Sequence, residues 1–149
     1  MKRKTQVGLL VGLLLAFLPL LAGSARKTVI QINDKAGTMP FSPAILVGRT
    51  LYISGQLATN PESGEFENGT MAQQSERIIM NLERLLKKAG MDLGHVVSTT
   101  VYITDFKEFG EFNDVFRKFF TKDPPTRATV QVSKLAREAK IEISAIAVK

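Results

Sequence analysis

Pro125-Thr126-Arg127-Ala128-Thr129-Val130-Gln131-Val132 and, shortly after it, Lys140-Ile141-Glu142-Ile143-Ser144-Ala145-Ile146-Ala147-Val148 decide how this chain folds. In both, apolar residues alternate with others at a period of two, as in strands with one covered face. Ala128, Val130 and Val132 share one face of the first; Arg127, Thr129 and Gln131 share the other. In the second, Ile141, Ile143, Ala145 and Ala147 lie opposite Glu142, Ser144, Ile146 and Val148. Only seven residues, 133–139, join them, which predicts neighbouring strands with Ala128, Val130, Ile141 and Ile143 turned to a helix-covered side. Arg127 and Glu142 then stand beside each other on the opposite face. A guanidinium and a carboxylate on a partly dry surface suit a carboxylate substrate and a water. They equally describe an ordinary cross-strand ion pair, which is weak when exposed. A one-residue slip would carry one of them to the other face. On opposite faces with no shared cleft they make no site.

Working outward, residues 96–103 read as a further strand. Asp105 with Glu108 opens a second helix running to about Phe120, with Phe109, Phe112, Phe116, Phe119 and Phe120 as its apolar, packing face. Pro124-Pro125 ends it. The first helix spans residues 71–89, opened by a Thr70/Gln73 capping box and closed by Gly90. Its buried stripe is Ile78, Leu82, Leu85 and Ala89. Before it, residues 44–47 and 50–54 form a hairpin across Gly48-Arg49, Ser54-Gly55-Gln56 ends the second arm, and residues 60–64 form a turn cluster. A first strand covers residues 28–32, followed by a loop over 35–43 that sets Phe41 between Pro40 and Pro43. This order predicts an α+β fold, a mixed sheet with both helices on one face. The bare face would then carry Ile146 and Val148 beside polar residues, which predicts burial against further copies of the chain.

The chain has 149 residues, no cysteine and one histidine, His95. Disulfides, thiolate chemistry and cysteine metal sites are excluded, and a lone histidine argues against a histidine metal cluster or a histidine-based triad. Of the formal net charge of +6, Lys2, Arg3 and Lys4 supply three, leaving +3 for the remainder because residues 1–25 hold no acid. No basic run or patch interleaved with aromatics points to nucleic acid. Residues 1–25 read as a secretory signal peptide: a basic start, an apolar run from Val7 to Ala22, and Gly23-Ser24-Ala25 as a cleavage site. The rival reading is an uncleaved anchor, against which stand Pro19 and a run of sixteen residues, shorter than the ~20 that span a bilayer comfortably. The expectation is a periplasmic or secreted protein, residues 26–149 forming one domain and touching a membrane only through the segment before cleavage.

Four segments resemble the Rid family of reactive-intermediate deaminases, also called YjgF-type or L-PSP proteins. They are Met39-Pro40-Phe41; Ser54-Gly55-Gln56 with Asn60-Pro61 and Gly64-Glu65; Pro125-Thr126-Arg127-Ala128-Thr129-Val130; and Ile141-Glu142-Ile143 with Ala145-Ile146-Ala147. The resemblance implies a chorismate-mutase-like fold, a homotrimer with sites in the clefts between subunits, and hydrolysis of 2-imino acids and their enamines to 2-oxo acids and ammonia. It implies no metal and no organic cofactor. By position, Arg127 grips the substrate carboxylate and Glu142 orients and activates the attacking water. Ser54 and Gly55 line the pocket, and Asn113 falls where a neighbouring subunit contributes an asparagine. Two residues depart from the pattern: Phe41 stands for a common tyrosine at the pocket rim, and Thr129 for a common cysteine. The resemblance leaves two further readings, a non-catalytic trimeric binding or chaperone-like protein of the same fold and, ranked last, a ribonuclease.

Overall fold

The computed structural model describes residues 26–32 and 40–149. The expected signal segment and Met39 of the first matching segment lie outside the described residues. Six strands form one sheet: β1 Lys27–Ile30, β2 Ala44–Val47, β3 Thr50–Gln56, β4 Val96–Ile103, β5 Thr126–Gln131 and β6 Ile141–Val148. Their order across the sheet is β1-β2-β3-β6-β4-β5. Two helices, α1 Met71–Lys88 and α2 Phe109–Phe119, cover one face. This is the mixed α+β architecture that the pattern predicts.

Local signals explain most boundaries. The Gly48-Arg49 turn works because Gly48 takes φ +59°, which costs a residue without Cβ little. Thr70 and Gln73 cap each other's backbone amides at the start of α1. Gly90, at φ +69°, follows its end. Asn60 accepts from the amides of Glu62 and Ser63 with its side chain, so the turn cluster closes on itself. The second helix starts differently from expectation. Asp105 caps a short 3₁₀ turn, Phe106–Glu108, and α2 follows from Phe109. Glu108 makes no cap; its carboxylate takes the Lys140 ammonium at 2.7 and 2.9 Å.

The expectation that the two diagnostic strands are neighbours is wrong. β6 lies between β3 and β4, and β5 pairs with β4, parallel, at the sheet edge. The cause is the connection. A strand, a helix and a parallel strand form a crossover unit that returns the chain beside its starting strand, so α2 delivers β5 to the free side of β4. The loop after β5 then crosses the end of β4 and sends β6 back antiparallel between β4 and β3.

The side assignment of β5 is overturned as well. Residues paired across a ladder point the same way. Arg127 pairs with Thr99, and Thr129 with Val101, both of which are buried under the helices. Ala128 and Val130 therefore point to the bare face, where Val130 remains 45% exposed. For β6 the expected side holds: Ile141, Ile143, Ala145 and Ala147 join Leu51, Ile53, Val101 and Ile103 in the core with Ile78, Leu82, Leu85 and Phe112. Opposite them, Tyr52, Val130, Ile146 and Val148 leave apolar surface on the bare face.

Candidate active site

Glu142 is placed by what precedes it. The Lys140 amide donates to the Gln74 side chain of α1 at 3.0 Å, and the Lys140 ammonium is held by Glu108, so β6 enters the sheet from a fixed point. Glu142 then faces the bare side, opposite Tyr102 of β4. Its carboxylate lies over Gly55 so closely that a Cβ at residue 55 would collide with it. The room exists because β3 advances three residues, Ile53 to Gln56, while β6 advances two. This is a β-bulge, which re-aims the strand. The Gln56 side chain steadies it by donating to the Ser54 carbonyl at 2.9 Å. Ser54 itself donates its hydroxyl to the Ser42 carbonyl at 2.8 Å, tying the bulge to the segment that carries Phe41. Among the described residues no cation pairs with Glu142, and burial pushes its carboxyl above the ordinary 4.5.

Arg127 has another setting. Its guanidinium lies over the rings of Phe116, Phe112 and Phe109 of α2, with 4.9, 5.0 and 5.5 Å from Cζ to the centroids. Aromatic faces attract such a cation and leave its donor edge free. Burial, and secondarily Arg117, draws its pKa down; a guanidinium stays protonated regardless. Thr129 stands two residues along on the same face, its hydroxyl buried with no partner among the described residues. Asn113 is half-buried on α2, the helix whose rings carry Arg127.

Within one copy, then, Arg127 and Glu142 do not share a face, contrary to the expectation from the alternation. They lie on opposite sides of the sheet, separated by two strand spacings of about 4.8 Å and roughly three residue steps of ~3.3 Å. The predicted residues split into two groups. Arg127, Thr129 and Asn113 belong to the helix side at the β5 edge; Glu142, Gly55, Ser54 and Phe41 gather around the bulge. A single copy does not bring the two groups together.

Comparison with known proteins decides what kind of chain this is. The sequence pattern of the family described as endoribonuclease L-PSP matches residues 32–149. The chain belongs to this family, the L-PSP or Rid family. A 2-iminobutanoate/2-iminopropanoate deaminase from Bos taurus is 40% identical over 124 residues, 83% of this chain and 90% of that protein. A Myxococcus xanthus protein called DfrA is 40% identical over 126 residues, 83% of this chain and 96% of its own. The crystal structure of Escherichia coli TdcF with bound serine superimposes with a TM-score of 0.76 at 30% identity, covering 82% of this chain and 98% of that one.

Beside the bulge the L-PSP fold opens a cavity of about 390 Å³ whose wall includes Phe41, Pro43, Gly55, Leu57, Asn81 and Arg137. Two residues escaped the sequence reading, one beside Glu142 and one in the cavity wall. Tyr102 is set beside Glu142 only by the β4–β6 register. Arg137 sits in a loop with no glycine or asparagine to announce its left-handed backbone, φ +59°, followed by Glu138 at φ +57°. Among the described residues no group of three or more histidine, cysteine, aspartate or glutamate side chains is placed to hold a metal.

Proposed function

We propose that this protein hydrolyses 2-imino acids and their enamines, such as 2-aminoacrylate and 2-iminopropanoate, to 2-oxo acids and ammonia, at sites completed between copies of a homotrimer. The observation that carries the reading is the Glu142 carboxylate: half-buried, without a cation, and aimed over a glycine at a bulge. A carboxylate so held accepts a proton from water. The oxygen adds to the imine carbon, the carbinolamine collapses to the carbonyl, and the nitrogen departs as ammonia with the proton returned through Glu142. The imine is already electrophilic, so an aimed base and a fixed substrate suffice. Arg127 of the adjoining copy supplies the fixing, its fork matching a carboxylate, with Asn113 and Thr129 beside it. The separation of Arg127 from Glu142 within one copy supports an assembly in which the apolar bare faces of the copies are buried together. Processing after Ala25 would release the mature protein to the periplasm or the exterior.

A second reading keeps the cleft and the ligand but not the turnover. Phe41 and Thr129, which replace a hydroxyl and a thiol common at these positions, favour it. The test is hydrolysis of imines generated in solution by an amino-acid oxidase, with semicarbazide competing for the imine. Loss of semicarbazone in proportion to added protein supports the deaminase. Unchanged semicarbazone yield, with a 2-oxo acid still bound, selects the binding protein.

A further inference from the structure

The cavity beside the bulge has a chemistry of its own. Phe41, Pro43 and Leu57 make part of its wall apolar, and Arg137 brings it a guanidinium. Among the described residues no carboxylate lines it, and Arg137 enters no ion pair. Its recorded hydrogen bond donates from one terminal nitrogen to the Gly64 carbonyl at 3.2 Å, which leaves most of its five donors unused. Arg137 is an exposed residue, and this bond ties its guanidinium to the rim of the cavity. Gly64 is itself part of the wall, and the 3₁₀ turn carrying Arg137 keeps two successive side-chain-bearing residues in the left-handed region. Such backbone persists where the surroundings over-determine it, and it clusters at ligand sites. A volume of about 390 Å³ falls in the range that small-molecule sites occupy.

Gly55 connects this cavity to the reaction. It belongs to the cavity wall, and it is the residue over which the Glu142 carboxylate lies. Glu142 itself is not part of the wall, so Gly55 is the link: a substrate whose imine carbon meets the water at Glu142 and whose side chain passes Gly55 enters the cavity that Arg137 lines. We propose that Arg137 is a specificity determinant that selects substrates bearing a second carboxylate on the side chain, namely the 2-imino acids derived from acidic amino acids. The inference rests on the deaminase site described above. Arg127 takes the carboxylate next to the imine, and Arg137 takes the distal one.

The test measures binding first, so that it stands apart from turnover. Full-length protein is titrated calorimetrically with 2-oxoglutarate and with 2-oxobutanoate, which share the 2-oxo acid end and differ in the distal charge. The wild type should bind 2-oxoglutarate at least tenfold more tightly. Arg137→Gln should abolish that ratio while leaving 2-oxobutanoate within twofold, and Arg137→Lys should recover part of it. Thermal melting of each variant shows whether the loop change has unfolded the chain; if Arg137→Gln melts early, Arg137→Lys and the wild-type ratio decide alone. Equal affinities in the wild type, or a ratio untouched by Arg137→Gln in a folded variant, overturn the proposal. The oxidase-coupled assay with imines of glutamate and alanine then separates the two claims. Turnover of both imines without preference refutes the distal-carboxylate pocket and keeps the deaminase. A preserved binding ratio without turnover of either refutes the deaminase and keeps the pocket's selectivity.

Discussion

Glu142 and Gly55 act as one unit, because the carboxylate occupies the space a side chain at 55 would need. Gly55→Ala should push the carboxylate off its position and lower kcat by tenfold or more while the fold survives, checked by circular dichroism alongside the imine assay. Glu142→Gln should leave 2-oxo acid binding nearly intact and reduce kcat by roughly 10²-fold or more, the scale of a lost general base. Burial raises the Glu142 pKa above the ordinary 4.5, and this has a second consequence. The folded state holds its proton to higher pH than the unfolded chain does. Between the two pKa values the unfolded chain binds fewer protons, so this group's contribution to stability is fully present below the unfolded value and is lost as pH rises through the folded one. Glu142→Gln should therefore raise the melting temperature at pH 7 relative to the wild type, with the difference vanishing near pH 4. A melting difference that is constant with pH would show that the carboxyl is not desolvated. Activity should rise with pH through a midpoint above 4.5, since only the ionised form takes the water's proton.

At the scale of elements, α2 does two jobs. Phe112 fills the core, fully buried, while the ring faces of Phe109, Phe112 and Phe116 support Arg127. The aromatic run reads as packing in the sequence, and it is packing; its second role follows from β5 turning Arg127 toward the helices. Phe116→Leu keeps much of the volume and removes a ring face worth about 0.5–1 kcal/mol to the cation. Binding of a 2-oxo acid should weaken about two- to fivefold with kcat little changed, readable by titration against single-turnover rates. On α1 the capping box is separable from the site. Thr70→Ala should cost about 1 kcal/mol of stability, measured by urea unfolding, with kinetics of the folded protein unaltered.

For the whole molecule, the proposed site needs more than one copy, because Arg127 and Glu142 lie on opposite faces of a single one. Light scattering should give three times the monomer mass. A sharper test mixes two inactive variants, Arg127→Ala and Glu142→Gln, by co-expression. If each site takes its arginine from one copy and its glutamate from the next, random assortment restores about a quarter of the sites. Mixed trimers without recovered activity would mean that the pair never meets across copies. Mass spectrometry of exported protein should find Arg26 at the amino terminus; the intact chain held in a membrane fraction would favour an anchor.

Element types, the caps of α1, the hairpin and the core face of β6 were legible in the sequence, because they depend on neighbours within a few positions. The family motifs name a set of residues, and the structure divides that set between the two faces of the sheet. The position and facing of β5 were not legible. Alternation says which residues of a strand share a face, but not which face the fold will cover. In β5 the apolar set, Ala128 and Val130, lies on the bare side, whereas the polar set, Arg127 and Thr129, turns to the helix side, where Arg127 stays exposed at the sheet edge. That choice belongs to the crossover through α2 and to the Thr99–Arg127 register, and both are decided by packing the whole sheet. The same holds for Arg137. Nothing in Lys-Leu-Ala-Arg-Glu-Ala-Lys signals two left-handed residues; only the closure of that loop against Gly64 puts its guanidinium at a cavity.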